Sequence, residues 1–343
     1  MKTDLKNLTI EELTGLLTER GEKAFRAKQL YQWMHQKLAT DLAQMSNLPA
    51  AFREVLAEEY SYTVLAQEQV QISKQDGTRK YLFRLPDGNY IESVWMQYHH
   101  GNSVCISSQV GCRMGCSFCA STLGGLVRSL TTAEMLEQIY AITRDTGERV
   151  SNIVVMGIGE PMDNYDNLVR FLRMISDENG LNISQRNLTV STCGLVEGIH
   201  KLAQEGLSVT LALSLHAVTD EKRQAIMPVA KRYNLQELME ACDDYFAKTG
   251  RRISFEYALI AGVNDTPEDA AGLAKLAAKR HCHVNLIPVN PVTERGYQEP
   301  DRSAVVAFQK RLEELKVTAT IRREMGRDID GACGQLRRKK LDL

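Results

Sequence analysis

Seven short apolar runs set the frame of this chain: SVCISSQ, NIVVMGIG, NLTVSTCG, VTLALSLH, ISFEYALI, HVNLIPVN and, near the end, VTATIRR. Helix-like segments separate most of them, and several carry start signals. Thr131 with Glu134 makes a capping box, Asn234 with Glu237 a weaker one, and Thr266-Pro267 pairs an N-cap with a first-turn proline. Strands flanked by helices at this spacing predict parallel βα units. Six or so units are too few for a closed eightfold barrel, so the expected α/β fold is an open, partial (β/α)6 barrel. Functional groups in such folds gather at the carboxyl ends of the strands. Here those ends read Gly159-Glu160, Ser191-Thr192, Ser214-Leu215-His216 and Asn290, small or polar residues that follow apolar runs.

Two smaller units precede the core. Residues 1–60 read as a helical domain, because Leu13, Leu16 and Leu17, then Leu30, Trp33 and Met34, recur at helical spacing. Residues 61–97 alternate like strands, with Asp76-Gly77 and Asp87-Gly88 at the turns, and predict a short antiparallel β extension. The core then occupies 98–343. No stretch of 18 apolar residues is present and the first residues lack an apolar signal core, so a cytoplasmic protein with no membrane partner is expected. A net charge of −1 gives no general support for nucleic-acid binding. The one local basic patch is Arg322, Arg323, Arg327, Arg337, Arg338, Lys339 and Lys340, and a solvated basic terminus would look the same.

Four of the eight cysteines crowd between positions 105 and 119. That crowding fits a metal or redox site in a reducing compartment better than a disulfide scaffold. Cys112-x-x-x-Cys116-x-x-Cys119 directly follows the first barrel strand. Three close thiolates can hold three irons of a cubane cluster and leave the fourth open to a small molecule. A structural zinc knuckle is the alternative, but it wants a fourth ligand, and no second cysteine pair or neighbouring histidine is at hand.

This loop resembles that of the radical S-adenosylmethionine (SAM) superfamily, in which a 4Fe–4S cluster with an open iron binds and cleaves SAM. The Met156-Gly-Ile-Gly-Glu160-Pro stretch is similar to the element that meets the amino group of SAM there. A finer resemblance, to the RlmN/Cfr family of RNA adenine methyltransferases, covers nearly the whole chain. It is carried by GEKAFRAKQLYQW, CISSQVGCRMGCSFCAS, MGIGEPMDN, LALSLHA, NLIPVNP and DIDGACGQL. An adenine ring carbon is electrophilic, so ordinary methyl transfer from SAM fails there. The resemblance implies that Cys333 is methylated first and that a deoxyadenosyl radical from a second SAM activates the S-methyl group. Cys105 then attacks the sulfur to release product, leaving a disulfide for a thiol reductant to reset. Glu92 matches the family's proton acceptor. The resemblance points to Gly159, Glu160, Ser191, Ser214, Leu215, His216 and Asn290 as SAM contacts. It gives the N-terminal helices, with Phe25, Arg26, Lys28, Gln29, Trp33 and Lys37, an RNA-binding role.

Each of these residues has a plainer reading. Cys105 can be a small buried hydrophobe, Glu92 an exposed carboxylate on a strand, His216 a core histidine bonded to backbone, and Ser191 and Ser214 strand-end caps. Cys193, Cys242 and Cys282 are read as buried thiols. The implied function is methylation of carbon 2 of an adenine in 23S ribosomal RNA and of the adenine beside the anticodon in transfer RNA. A flavodoxin or ferredoxin would donate the electron. The Gly-Glu-Pro-Met-Asp-Asn stretch favours this branch over the carbon 8 branch, which typically lacks the proline. A non-catalytic iron–sulfur RNA-binding protein is the alternative of another class.

Overall fold

The computed structural model describes residues 2–278, 280–292 and 294–341. Three helices open the chain: α1 (Ile10–Glu19), α2 (Phe25–His35) and α3 (Ala50–Glu59). Thr9 and Glu12 close a capping box at the start of α1, and Leu13 and Leu17 bury its inner face. Ala27, Leu30, Tyr31, Met34 and His35 do the same for α2, so the remaining face of that helix is left outward.

The expected extension is present as β1 (Ala66–Ile72), β2 (Arg79–Arg84) and β3 (Tyr90–Tyr98). Gly77 and Gly88 adopt positive φ at the two turns, as Asp-Gly pairs favour. These strands do not form a sheet of their own. β3 pairs antiparallel with β4 (Gly101–Ile106), the first barrel strand, so extension and barrel share one ten-stranded sheet. Beyond β4 the chain makes β5 (Gln109–Gly111) and β6 (Leu126–Ser129), a small antiparallel clasp around the cysteine loop. Its three-residue strand is too short to show a period, so no alternation marks it in the sequence.

The barrel proper alternates α4 (Thr132–Thr146), β7 (Val150–Val155), α5 (Tyr165–Ile175), β8 (Leu188–Thr192), α6 (Val196–Gln204) and β9 (Thr210–Ser214). It continues with α7 (Asp220–Ile226), α8 (Leu235–Thr249), β10 (Ile253–Leu259), α9 (Pro267–Ala277), β11 (Cys282–Pro288), α10 (Arg302–Glu314), β12 (Ala319–Ile321) and α11 (Gln335–Leu341). Strands β4-β7-β8-β9-β10-β11-β12 pair parallel in that order, six full βα units closed off by the short β12. All three expected caps form, including a complete box at Asn234 and Glu237. No described helix is long and apolar enough to cross a membrane.

Buried polar contacts dock the helical domain on the barrel. Lys6 pairs with Glu137 of α4, both fully buried. His35 Nδ1 bonds the Tyr140 hydroxyl at 2.8 Å, and Asn7 accepts the Ala133 amide at 2.7 Å. Burial pulls His35 down to about 3, so this imidazole is neutral.

Candidate active site

Two adjoining cavities open at the carboxyl ends of the strands. The smaller, about 160 Å³, is lined by Cys112, Cys116 and Cys119 together with Gly159, Glu160, Ser191, Ser214 and His216. The cysteine loop reaches this position because the β5–β6 clasp closes its neck. Gly111 sits at φ +77°, the Cys112 amide donates to the Gly125 carbonyl at 2.9 Å, and a Cβ at Gly111 would lie 1.9 Å from that oxygen. Burial pushes Cys112 up to about 12 and raises Cys116 and Cys119 as well, so all three stay neutral until a metal cation draws off their protons.

The donor set fits a cluster. Among the described residues no three His, Cys, Asp or Glu side chains converge on a single ion. Cubane thiolates each hold a different iron, so they line a space rather than meet at a point. Glu160 supplies the matching charge. It accepts the Met162 amide at 3.0 Å and the Cys193 amide at 2.7 Å, and has no ion-pair partner among the described residues. Burial raises its carboxyl. A buried carboxylate without a cation is costly, and the amino group of SAM would supply one.

At and just past the end of β9 the chain divides its side chains between cavity and core. Ser214 and His216 line the cavity, whereas Leu215 between them buries its side chain in the core. The Leu215 carbonyl is taken by buried Arg223, which also donates to Cys193 O at 2.6 Å and Ser214 O at 3.3 Å, tying the ends of β8 and β9 together. His216 holds φ +58°, and its Nδ1 accepts the Ala258 amide at 2.9 Å. The ring is thus bonded to backbone and lines the cavity at once. Its proton sits on Nε2, and burial pulls its pKa down to about 3.

The larger cavity, about 400 Å³, is lined by Glu92, Cys105 and Asn290, with Lys80 beside them and Arg322, Arg323 and Arg327 around it. Register accounts for the grouping. Cys105 pairs with Val94, and Lys80 also pairs with Val94, so Lys80, Glu92, Val94 and Cys105 share one sheet face. Glu92 is buried, not exposed, and forms an ion pair with Lys80 at 2.7 Å. Burial also raises the Cys105 thiol, with Arg322 and Lys80 opposing it. Asn290 lies here rather than with the other SAM candidates.

Cys333 lines both cavities, as do Met156 and Gly157. Its thiol is 3.3 Å from Ser121 Oγ, just past the cysteine loop, and burial pushes it up. A Cβ at Gly157 would lie 2.6 Å from the Ile106 carbonyl, and one at Gly159 (φ +110°) 2.6 Å from Gln109. Only glycine lets the segment that follows β7 run this close to the end of β4 and the start of β5 where the cavities meet.

Sequence reasoning missed Lys80, Arg223 and the place of Cys193 on the smaller cavity wall, and it gave the Met156-Gly157 stretch no place on the larger cavity. It also grouped basic residues that the structure separates. Arg337 is buried and donates to Tyr90 O at 2.8 Å, Arg338 pairs with Glu294, and Lys340 pairs with Glu68 at 2.8 Å. On α2, Phe25 is exposed, with Arg26 beside its ring, and Lys37, just past the helix, sets its ammonium 3.8 Å from the centre of the Trp33 ring.

Residues 3–61 match the profile of the ribosomal RNA large subunit methyltransferase N-terminal domain, and residues 106–276 that of the radical SAM superfamily. The "Probable dual-specificity RNA methyltransferase RlmN" of Lachnospira eligens is 59% identical over 99% of this chain and 97% of its own. The protein of the same description from Lachnoclostridium phytofermentans is also 59% identical, over 99% and 96%. A crystal structure of a radical SAM methyltransferase from Sphaerobacter thermophilus superposes with a TM-score of 0.93 at 42% identity, covering 97% of this chain and 98% of that one. The chain therefore belongs to the RlmN family of radical SAM RNA methyltransferases.

Proposed function

We propose that this enzyme methylates carbon 2 of an adenine in 23S ribosomal RNA and of the adenine beside the anticodon in transfer RNA, through a methyl group carried on Cys333. The observation that carries the reading is that Cys333 lines two cavities, one holding the cluster cysteines and the other Cys105 and Glu92. The dual-specificity description of the relatives supports the two RNA classes.

Cys112, Cys116 and Cys119 would hold a 4Fe–4S cluster, with Glu160, Ser191, Ser214 and His216 around SAM. Loaded, these groups supply a methyl group and, from a second SAM with one electron from a flavodoxin or ferredoxin, a deoxyadenosyl radical. Cys333 takes the methyl group on its sulfur on the smaller cavity's side and presents it to the adenine on the other. Once the carbon is joined to the ring, the adduct would give up one electron, returned to the cluster, and the ring proton, and Cys105 then attacks the Cys333 sulfur. A sulfur–sulfur bond forms, and the sulfur–carbon bond to the product breaks with its electron pair going to the carbon. That carbon takes the proton lost by the Cys105 thiol to become the methyl group, and a thiol reductant restores both thiols. Glu92 would receive the ring proton, giving up part of its bonding to Lys80. Phe25, Arg26 and Lys28 on the open face of α2 would meet RNA, and the target base must leave its stack to enter.

Anaerobic reconstitution with iron and sulfide, followed by SAM, reductant and RNA, tests the reading. Mass spectrometry of the digested RNA should show 2-methyladenosine. An 8-methyl product would move the enzyme to the carbon 8 branch, and Cys333→Ala should yield neither.

A further inference from the structure

The β extension contributes only Glu92 to the reading above, yet it grips the segment that carries Cys333 along much of its length. Asp76 accepts the Gly326 amide at 2.9 Å. Asp328 accepts from Ser73 Oγ at 2.6 Å and the Lys74 amide at 2.8 Å, and Gln71 exchanges two bonds with Asp330 at 2.9 and 3.0 Å. At the buried end Lys80 Nζ donates to the Ala332 carbonyl at 3.0 Å, while Glu92 accepts the amides of Gly334 at 2.7 Å and Arg337 at 2.6 Å. Every one of these bonds uses a side chain on at least one partner.

The inner pair differs in kind from the outer contacts. Lys80 is 1% exposed and Glu92 2%. Burying two charges is a poor way to gain stability, because an apolar pair of similar volume does as well or better. What the charges add is direction. The residues on either side of Cys333 are fixed by one ammonium and one carboxylate that also face its cavity.

We propose that Lys80 is a positioning residue: its ammonium, shared between Glu92 and the Ala332 carbonyl, holds the Cys333 segment docked where the thiol lines both cavities. The docking stands on geometry alone, and its consequence for catalysis rests on the relay through Cys333.

Hydrogen–deuterium exchange on the reconstituted full chain tests it. In Lys80→Met the peptide covering 326–337 should exchange at least tenfold faster, while peptides of β7, β8 and β9 stay protected. Lys80→Arg should fall between. Lys80→Met leaves Glu92 buried without a partner and weakens the fold. The Lys80→Met/Glu92→Gln double variant removes both charges, so its unfolding temperature should recover while the segment still exchanges fast. Wild-type protection of 326–337 in the double variant, or fast exchange spread evenly over the chain in every variant, would overturn the proposal. A second readout is the mass of the Cys333 peptide after SAM without RNA. Its methylation should drop at least tenfold in the double variant and partly return in Lys80→Arg. If the wild type shows no methylated Cys333 while the exchange pattern holds, the relay fails and the docking role stands.

Discussion

Replacing Glu160 with glutamine probes the centre of the proposed SAM site. The carboxylate accepts two backbone amides and has no cation partner among the described residues, so an incoming ammonium would meet an aligned, desolvated charge. At about 4 Å and an effective dielectric of about 20, the attraction is ~4 kcal/mol. Stripping water from both groups takes back part, leaving the ~1.5–3 kcal/mol typical of a charge-assisted bond. SAM should then bind about tenfold to 150-fold more weakly to Glu160→Gln. Equilibrium dialysis against labelled SAM, on the anaerobically reconstituted protein, measures this directly. The same residue predicts a stability effect of opposite sense. Burial raises the folded-state pKa above the usual carboxylate value, so the unfolded chain ionises first and its stability contribution is lost as pH rises above about 4.5 through the raised value. The variant should lack that part of the pH slope in thermal unfolding. Affinity for SAM within twofold of wild type would refute the assignment of Glu160 to the amino group.

Cys105→Ala should stall after the carbon–carbon bond forms, leaving RNA attached through Cys333 and visible as a shifted band on a denaturing gel; free methylated RNA at the normal rate would remove Cys105 from the relay. Lys6→Met leaves buried Glu137 with Arg144, at 2.9 Å, as its ion-pair partner among the described residues, so it should cost ~1.5–3 kcal/mol in urea unfolding, less than a fully unpaired buried charge would. A loss under about 1 kcal/mol would mean the pair does not dock the helical domain. Arg322→Ala and Arg323→Ala, at the larger cavity, should each flatten the salt dependence of RNA binding by about one unit of slope. Lys340→Ala, whose partner is Glu68, should leave that slope unchanged.

What the sequence made legible was whatever local spacing dictates. Three cysteines within eight positions, capping boxes at Thr131 and Asn234, the N-cap and proline at Thr266-Pro267, and polar residues after apolar runs are each written inside one short segment. What it hid depends on register between distant strands. Lys80 reads as one residue of a strand, and only the β2–β3 pairing sets it diagonal to Glu92 and on the face of Cys105. The basic tail shows the same limit. Arg337 to Lys340 look like one patch in sequence, but a helix turns them in different directions, each toward its own partner. Leu215 is hidden for the same reason: it lies past the last residue of β9, where the left-handed turn at His216 sets that ring in the cavity while Leu215 packs in the core.

The two cysteines of the proposed relay also sit on unlike supports, and the difference suits the unlike tasks proposed for them. Cys105 lies inside β4, paired on one side with Val94 and on the other with Val154, so ladder bonds fix its place in the sheet. Cys333 lies outside any strand, on a segment whose hold on the hairpin runs through side chains. A thiol that only attacks a neighbouring sulfur gains from rigidity, since reaction needs a short, aligned approach. A thiol that accepts carbon on one side and delivers it on the other gains from a support that can shift without breaking a sheet. Exchanging the supports, with the carrier in the ladder and the resolving thiol on the tail, would leave the carrier facing one cavity only. On the relay reading, placing the carrier on the C-terminal segment is therefore a requirement of the chemistry.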